Sequence, residues 1–307
     1  MNDNIVTSIN IKGFPAKGQI SNYHYLSEND QWIIEIQSET GSDIFLLSSD
    51  GSKLINLTNT PDVLETETQV SPNQSLVAYT VSNDSINTHV EIMEITSKRR
   101  WRVSEDDYFE SSPYWLDNTT LILESYKLGS PNIFQVDILT NEWNNLSKGP
   151  GVDIGFSLAP EVRKMAFLSD RNGGWEPCIY NFSTQETYGP ISELKNVSSL
   201  SFSPTGVWLI ANITQSQKNE IILFNVDNKV YNKIATISSP STNFQWSKDS
   251  KQVLFTATLR EQVDVYFYDV ERNVLINVTN NPEMEFNAKW LYPNEESHIF
   301  RVFTTRK

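Results

Sequence analysis

The side chains best placed by type and spacing to do chemistry are carboxylates. Asp62, Glu65 and Glu67 fall within six residues, and Glu105, Asp106, Asp107 and Glu110 surround Tyr108 and Phe109. Glu283 and Glu285 form a third group, while the corresponding stretches elsewhere offer only Asp153 or, at Ser238 to Thr242, none. Such clusters serve as solvating loop charge, as a docking field for a basic or polar partner, or as oxygen ligands for a hard cation. No D-x-D-x-D-G calcium loop is present. A pair of acids roughly 5 to 9 Å apart would also serve glycoside chemistry, and Glu67, Glu110 and Glu285 are the members nearest a central channel in the architecture argued below.

The other reactive residue types are sparse. His24, His89 and His298 come from different strand types, so a three-histidine metal site is not expected, and His24 reads as a hydrogen-bonded structural residue. Cys178, the single cysteine, excludes an intramolecular disulfide and reads as a small buried hydrophobe. No Ser-His-Asp set has supporting spacing, and no metal or organic cofactor is expected. Trp175, flanked by Gly173 and Gly174, and Arg171 are candidate contact residues, because tryptophan and arginine are enriched where partners bind.

The elements that must carry these residues repeat. A turn follows an aromatic-rich strand at SENDQ (27–31), SPNQS (71–75), LDNTT (116–120), APEVR (159–163), SPTGV (203–207), SKDSK (247–251) and YPNEE (292–296). With Ser27, Ser71, Leu116, Leu158, Ser203, Ser247 and Tyr292 as markers, the spacings are 44, 45, 42, 45, 44 and 45. After each turn comes an apolar run, such as WIIEIQ or LVAYTVS. An alternating run, such as DIFLLSS or HVEIMEI, and then a more polar one, such as KLINLTN, follow. Runs rich in Val, Ile, Phe and Tyr between Gly, Asn, Asp, Ser and Pro read as strands, and four short strands in 44 residues is the arithmetic of a propeller blade.

The expected fold is therefore all-β, a seven-bladed β-propeller of four-stranded antiparallel blades. Strands A to D run outward from the channel. The chain ends after its seventh B strand, and an open two-stranded blade would expose a long edge. Residues 4–13 are therefore expected to pair with 298–304 and close the last blade, 286–305, which makes 1–307 one domain. Trp115, Trp246 and Trp290, near the ends of A strands, are read as core wedges. Trp101 alternates with Arg100 and Arg102 and is read as packed between blades.

The stretch Phe167-Leu168-Ser169-Asp170-Arg171-Asn172-Gly173-Gly174, followed by Cys178-Ile179-Tyr180, resembles the TolB-type propeller repeat. FSPTG (202–206), QWSKDS (245–250), NLTNTPD (56–62) and NVTNNPE (277–283) match that pattern in part. The resemblance implies that D–A and B–C loops share a top face where partners and ligands dock. The lack of a coherent catalytic set and the acidic arc with its nearby aromatics point to a non-catalytic scaffold whose partner-binding residues are Asp62, Glu65, Glu67, Asp106, Asp107, Tyr108, Glu110, Arg171, Trp175, Glu283 and Glu285. TolB itself resembles a six-bladed propeller behind an extra α/β domain, which this chain lacks. Related propellers stand in front of serine peptidases, but no G-x-S-x-G elbow occurs here. A carbohydrate-active hydrolase or lyase using channel carboxylates, or small-ligand or cation binding in the channel, is the alternative.

Composition agrees with this frame. Fifteen Phe, 12 Tyr and 8 Trp fill a core, although only 38% of the 307 residues are hydrophobic. A net charge of −14 disfavours nucleic acid and anionic lipid, so the expected partner is a protein with a basic or polar surface, bound by a monomer. No apolar run approaches a membrane span of roughly 20 residues. Met1-Asn2-Asp3-Asn4-Ile5 shows no leader pattern, so the expectation is a cytoplasmic protein, or a periplasmic one by resemblance if a leader has been removed. The N-x-S/T triplets at Asn56, Asn118 and Asn277 are read as chance products of an Asn-rich chain.

Overall fold

The computed structural model describes residues 11–83, 87–104, 108–241, 243–259, 262–279, 286–291 and 299–303, with the backbone alone in the last two segments. The chain divides into two compact units, residues 9–148 and 149–307.

The first unit holds three meanders of four strands. They are β1 (Gln19–Leu26), β2 (Gln31–Gln37), β3 (Ser42–Ser48) and β4 (Leu54–Asn56); β5 (Leu64–Val70), β6 (Leu76–Ser82), β7 (Thr88–Glu94) and β8 (Arg100–Arg102); and β9 (Glu110–Trp115), β10 (Thr120–Ser125), β11 (Asn132–Asp137) and β12 (Glu142–Asn145). All neighbours within a meander are antiparallel, and one parallel bridge, Ser42 opposite Leu64, joins the first to the second.

The second unit repeats the pattern. It contains β13 (Asp153–Ala159), a 3-10 turn (Pro160–Val162), β14 (Lys164–Ser169), β15 (Glu176–Asn181) and β16 (Glu186–Tyr188). β17 (Val197–Phe202), β18 (Trp208–Gln215), β19 (Lys218–Asn225) and β20 (Val230–Ile237) follow, then β21 (Phe244–Trp246), β22 (Gln252–Leu259), β23 (Gln262–Asp269) and β24 (Val274–Asn277). A hairpin of β25 (Phe286–Leu291) and β26 (Ile299–Phe303) ends the described chain. Each of the six expected A-to-D sets is thus a four-stranded antiparallel meander, and the seventh repeat supplies its A and B strands. The expected closing strand, residues 4–13, lies almost wholly outside the described residues. Among the described residues no helix is long and apolar enough to cross a membrane.

Two local devices recur among the repeats. In the A–B turn a serine hydroxyl accepts the N–H five residues on: Leu76 to Ser71 at 3.0 Å, Trp208 to Ser203 at 3.0 Å and Gln252 to Ser247 at 2.9 Å. The turn then needs a left-handed residue, supplied by Gln74, Gly206 and Ser250. At the other end the N-x-S/T triplets clamp strand D to strand C. Thr58, Ser147 and Thr279 accept the N–H of Ile44, Ile133 and Val265 at 3.0 to 3.1 Å. Asn56 and Asn277 donate to Asp43 and Asp264, and Asn145 donates to Asn132. Two of the triplets read from sequence as chance, Asn56 and Asn277, are therefore structural.

Apolar faces pack between successive sheets. Leu26, Ile33, Ile44, Val77 and Tyr79 fill the space between the first two, and Ala78, Val90, Trp115, Leu121 and Phe134 that between the next two. Trp115 is a buried wedge, as expected, and its indole N–H donates to the Gln69 carbonyl at 3.2 Å, tying β9 to β5. Trp246 makes the equivalent bond to Ser201 at 3.4 Å. Trp101 packs against the core while Arg100 and Arg102 face solvent, as alternation requires.

Candidate functional site

The loop before β9 meets the loop after β10 because the Tyr126 N–H donates to the Phe109 carbonyl at 3.0 Å. Their rings touch edge to face, with centroids 5.1 Å apart. The Lys127 ammonium lies 5.4 Å from the Tyr108 ring and 4.6 Å from the Trp143 ring, a cation–π sandwich that fixes the loop. Leu128 beyond it is 63% exposed and Tyr126 44%. An aromatic and aliphatic tip held by a buttressed loop is suited to filling a partner's pocket. Of the residues read from sequence, Tyr108 belongs to this cluster. Phe109, Tyr126, Lys127 and Leu128 were missed as site residues: the repeat brings the D–A and B–C loops to one face, but does not show which side chains meet there.

The carboxylates fare differently. Asp62 is exposed in the linker between β4 and β5. Glu65, Glu67 and Glu110, expected on open loops, lie instead in β5 and β9. Glu65 and Glu110 are buried, which removes them from the surface. Glu110 accepts the Val90 N–H at 3.2 Å, and Glu65 accepts the Thr60 hydroxyl at 2.7 Å. Burial pushes both carboxyls above their ordinary range, Glu65 to about 7. Asp153 occupies the same position one repeat on and is neutralised by Arg171, whose Nη2 lies 3.0 and 3.3 Å from its two oxygens. Glu65 and Glu110 therefore each accept a hydrogen bond from outside their own meander, whereas Asp153 is held by Arg171 of the same sheet's B–C loop. Asp106, Asp107, Glu283 and Glu285 lie outside the described residues.

Arg171 and Trp175 also differ from the expected exposed pair. Besides Asp153, Arg171 donates to the Ser169 hydroxyl at 2.7 Å and packs over the Phe167 ring, leaving 14% of its side chain exposed. The Ser-Asp-Arg motif is thus a clasp, completed where Asp170 accepts the Val152 N–H at 2.7 Å. Trp175 folds back against its own core, in the cluster that contains Ile179, Leu194 and Val197.

The leading strands carry bulges. In β5 and β9 the bulged residues are Glu67 and Ser112, both in the left-handed region, and in β13 it is Gly155, where no Cβ opposes that conformation. Glu67 accepts from Ser112 N–H at 2.6 Å and from the Thr80 hydroxyl at 2.7 Å. Glu35, in the middle of β2, is buried and accepts from the Ser21 hydroxyl and from Thr68 N–H and hydroxyl at 3.3 and 3.0 Å. Burial raises its pKa, these bonds oppose the rise, and the nearby Glu67 charge adds to it. Its sequence signal was a charge inside the apolar run WIIEIQ. His24 bonds the Thr68 carbonyl at 2.6 Å, a structural role.

Among the described residues no group of three His, Cys, Asp or Glu side chains could hold a metal ion. Cys178 is buried and its thiol is pushed up to about 11. In the second unit a hollow of about 320 Å³ is lined by Glu193, Lys195, Asn196, Thr214, Gln215 and Tyr231, among others.

A family model described as the TolB beta propeller domain matches residues 31–191. No curated protein sequence matches the chain significantly. Among solved structures, TolB from Acinetobacter baumannii is similar at 13% identity and a TM-score of 0.59, over 76% of this chain and 58% of that one. An oligogalacturonate lyase in complex with manganese is similar at 12% identity and a TM-score of 0.59, over 84% and 76%. A puromycin-hydrolyzing peptidase of Mycobacterium tuberculosis is similar at 13% identity and a TM-score of 0.62, over 80% of this chain and 43% of that one. The chain thus spans less than two thirds of the TolB and peptidase structures, and at these identities the likeness is one of fold.

Proposed function

The chain belongs to the TolB beta propeller domain family, and on that premise we propose that it is a non-catalytic scaffold which binds a protein partner through the loops around Tyr108 and Leu128. The observation that carries this reading is the exposed tip of Tyr126 and Leu128, buttressed by Phe109 and by the Lys127 cation–π sandwich. Rigid aromatic and aliphatic groups lose little entropy on docking, so they contribute most of the affinity at small interfaces. The neighbouring Glu105-Asp106-Asp107 and the net charge of −14 favour a partner that is apolar at its centre and basic at its rim.

A photo-crosslinking residue at position 128 would identify the partner in the native cell, and the purified pair would then be measured by calorimetry. Alanine at both Tyr126 and Leu128 should weaken that pair at least tenfold; unchanged affinity would overturn the reading. We place in the same proposal the seven-bladed architecture, with β25 and β26 as the inner pair of a blade that residues 4–13 complete. Deleting residues 1–13 should then lower the melting temperature by several degrees, and an unaltered value would refute the closure.

A second reading rests on Glu35, whose carboxyl is raised by burial and further by the charge of nearby Glu67. Two neighbouring carboxyls, one of them raised by burial, are the kind of pair that sugar cleavage uses. Turnover of oligogalacturonates or aryl glycosides that Glu35→Gln abolishes would favour an enzyme over the scaffold.

A further inference from the structure

Glu65 stands where, among the described residues, two four-stranded sheets share a backbone ladder. The Ser42 N–H donates to the Val63 carbonyl at 2.9 Å, and the Ser42 hydroxyl donates to the carbonyl of Glu65 itself. The Glu65 side chain is buried to 1% exposure beside this seam. Its Oε1 accepts the hydroxyl of Thr60, whose backbone N–H donates to Asp43 Oδ1 at 3.0 Å. Two carboxylates therefore grip one residue of the linker between β4 and β5. Glu65 Oε2 is buried without a hydrogen-bond partner among the described residues.

A buried carboxylate with one unpaired oxygen is costly when charged and much less so when protonated. The groups that face it are Asp43 from β3, Tyr79 from β6, Glu91 from β7 and Arg100 from β8. Arg100 Nη1 is 3.5 Å from Glu65 Oε1, but that guanidinium also serves Tyr79 and Glu91, and Glu91 is itself bonded by His89 at 3.4 Å. This cation is divided, and Asp43 opposes ionisation.

We propose that Glu65 is a proton-operated clasp on the linker at residues 57–63: protonated it holds the linker and the Ser42 seam shut, and ionised it loosens both. The titration falls close to neutrality because burial pushes this carboxyl to about 7, with Asp43 adding to the rise and the Thr58 and Thr60 hydroxyls and Arg100 opposing it. The linker itself carries the exposed Asp62, so the device would couple pH to the mobility of that exposed segment.

Amide hydrogen exchange of the whole chain at pH 6 and pH 8.5, corrected for intrinsic rates, tests this. Protection of Ser42 and of residues 60–64 should fall about tenfold at the higher pH, the effect of roughly one unit of proton linkage. Glu65→Gln should abolish the difference, while Glu39→Gln, a change at an exposed ion pair, should leave it intact. Equal protection at both pH values, or an undiminished fall in Glu65→Gln, would overturn the proposal. Should Glu65→Gln not fold, carboxyl-carbon NMR of the unaltered chain decides, because a Glu65 midpoint near the ordinary 4.5 would also overturn it.

Discussion

Tyr126 and Phe109 are joined twice, by a backbone hydrogen bond of 3.0 Å and by an edge-to-face ring contact with centroids 5.1 Å apart. The two residues belong to different loops, so this double tie makes one rigid surface from two segments. Phe109→Ala should remove the ring contact, worth roughly 1 kcal/mol beyond area, and let the 126–130 loop move. The expected outcome is a three- to tenfold loss of partner affinity through a faster off-rate, with the melting temperature lowered by no more than a few degrees. Surface plasmon resonance on the crosslinked partner measures it, and a loss confined to the on-rate would contradict a positioning role.

The Arg171–Asp153 pair should be a stability element and not a contact element. Asp153 is fully buried, so Arg171→Ala strands a charge where water cannot reach it. Breaking such a pair costs about 3 to 5 kcal/mol. Denaturant unfolding should show that loss, while partner affinity at the Tyr126 surface is unchanged. Arg171→Lys should recover only part of it, because one ammonium cannot replace the bonds that the guanidinium makes to Ser169 and Asp153.

The N-x-S/T triplets at Asn56 and Asn277 close their strands, so Thr58→Val and Thr279→Val should each cost about 1 to 3 kcal/mol by leaving a buried N–H unpaired. Thermal unfolding would register both. Expression in a glycosylating host should leave Asn56 and Asn277 unmodified in folded protein, because their amides are engaged with Asp43 and Asp264. Occupied sites by mass spectrometry would contradict that engagement.

The repeat was legible because its signals are local. Alternation gives strands, Ser-x-x-Gly-like turns give hairpins, and both recur at a fixed period, so all six complete four-stranded meanders are countable in the sequence. The candidate site was much less legible, since it depends on which side chains meet where the loops converge. Glu65 and Glu110 have the composition of a solvated acidic rim, yet both lie within strands, β5 and β9, that turn their side chains inward. Arg171 and Trp175 carry the residue types of a binding hot spot, and only the partners across the sheet, Asp153 and Leu194, reveal their structural use. Glu35 shows the converse: a charge within a buried run marks a polar network that composition hides.

Three buried acids set the sign of the pH dependence of stability. Burial raises Glu35, Glu65 and Glu110 above their ordinary range. A carboxyl raised in the folded state keeps a proton that the unfolded chain has already released. Its contribution is therefore fully present below the ordinary value of 4.5 and is lost as pH rises through the folded value, about 7 for Glu65. Stability should fall between pH 5 and pH 8, with Glu65 responsible for about 2 kcal/mol after allowance for partial screening. Urea unfolding at intervals of half a pH unit would trace the decline, and Glu65→Gln should flatten it over the upper part of that range. A profile that rises from pH 5 to pH 8 would mean that the hydrogen bonds to these carboxylates outweigh the cost of burying their charge.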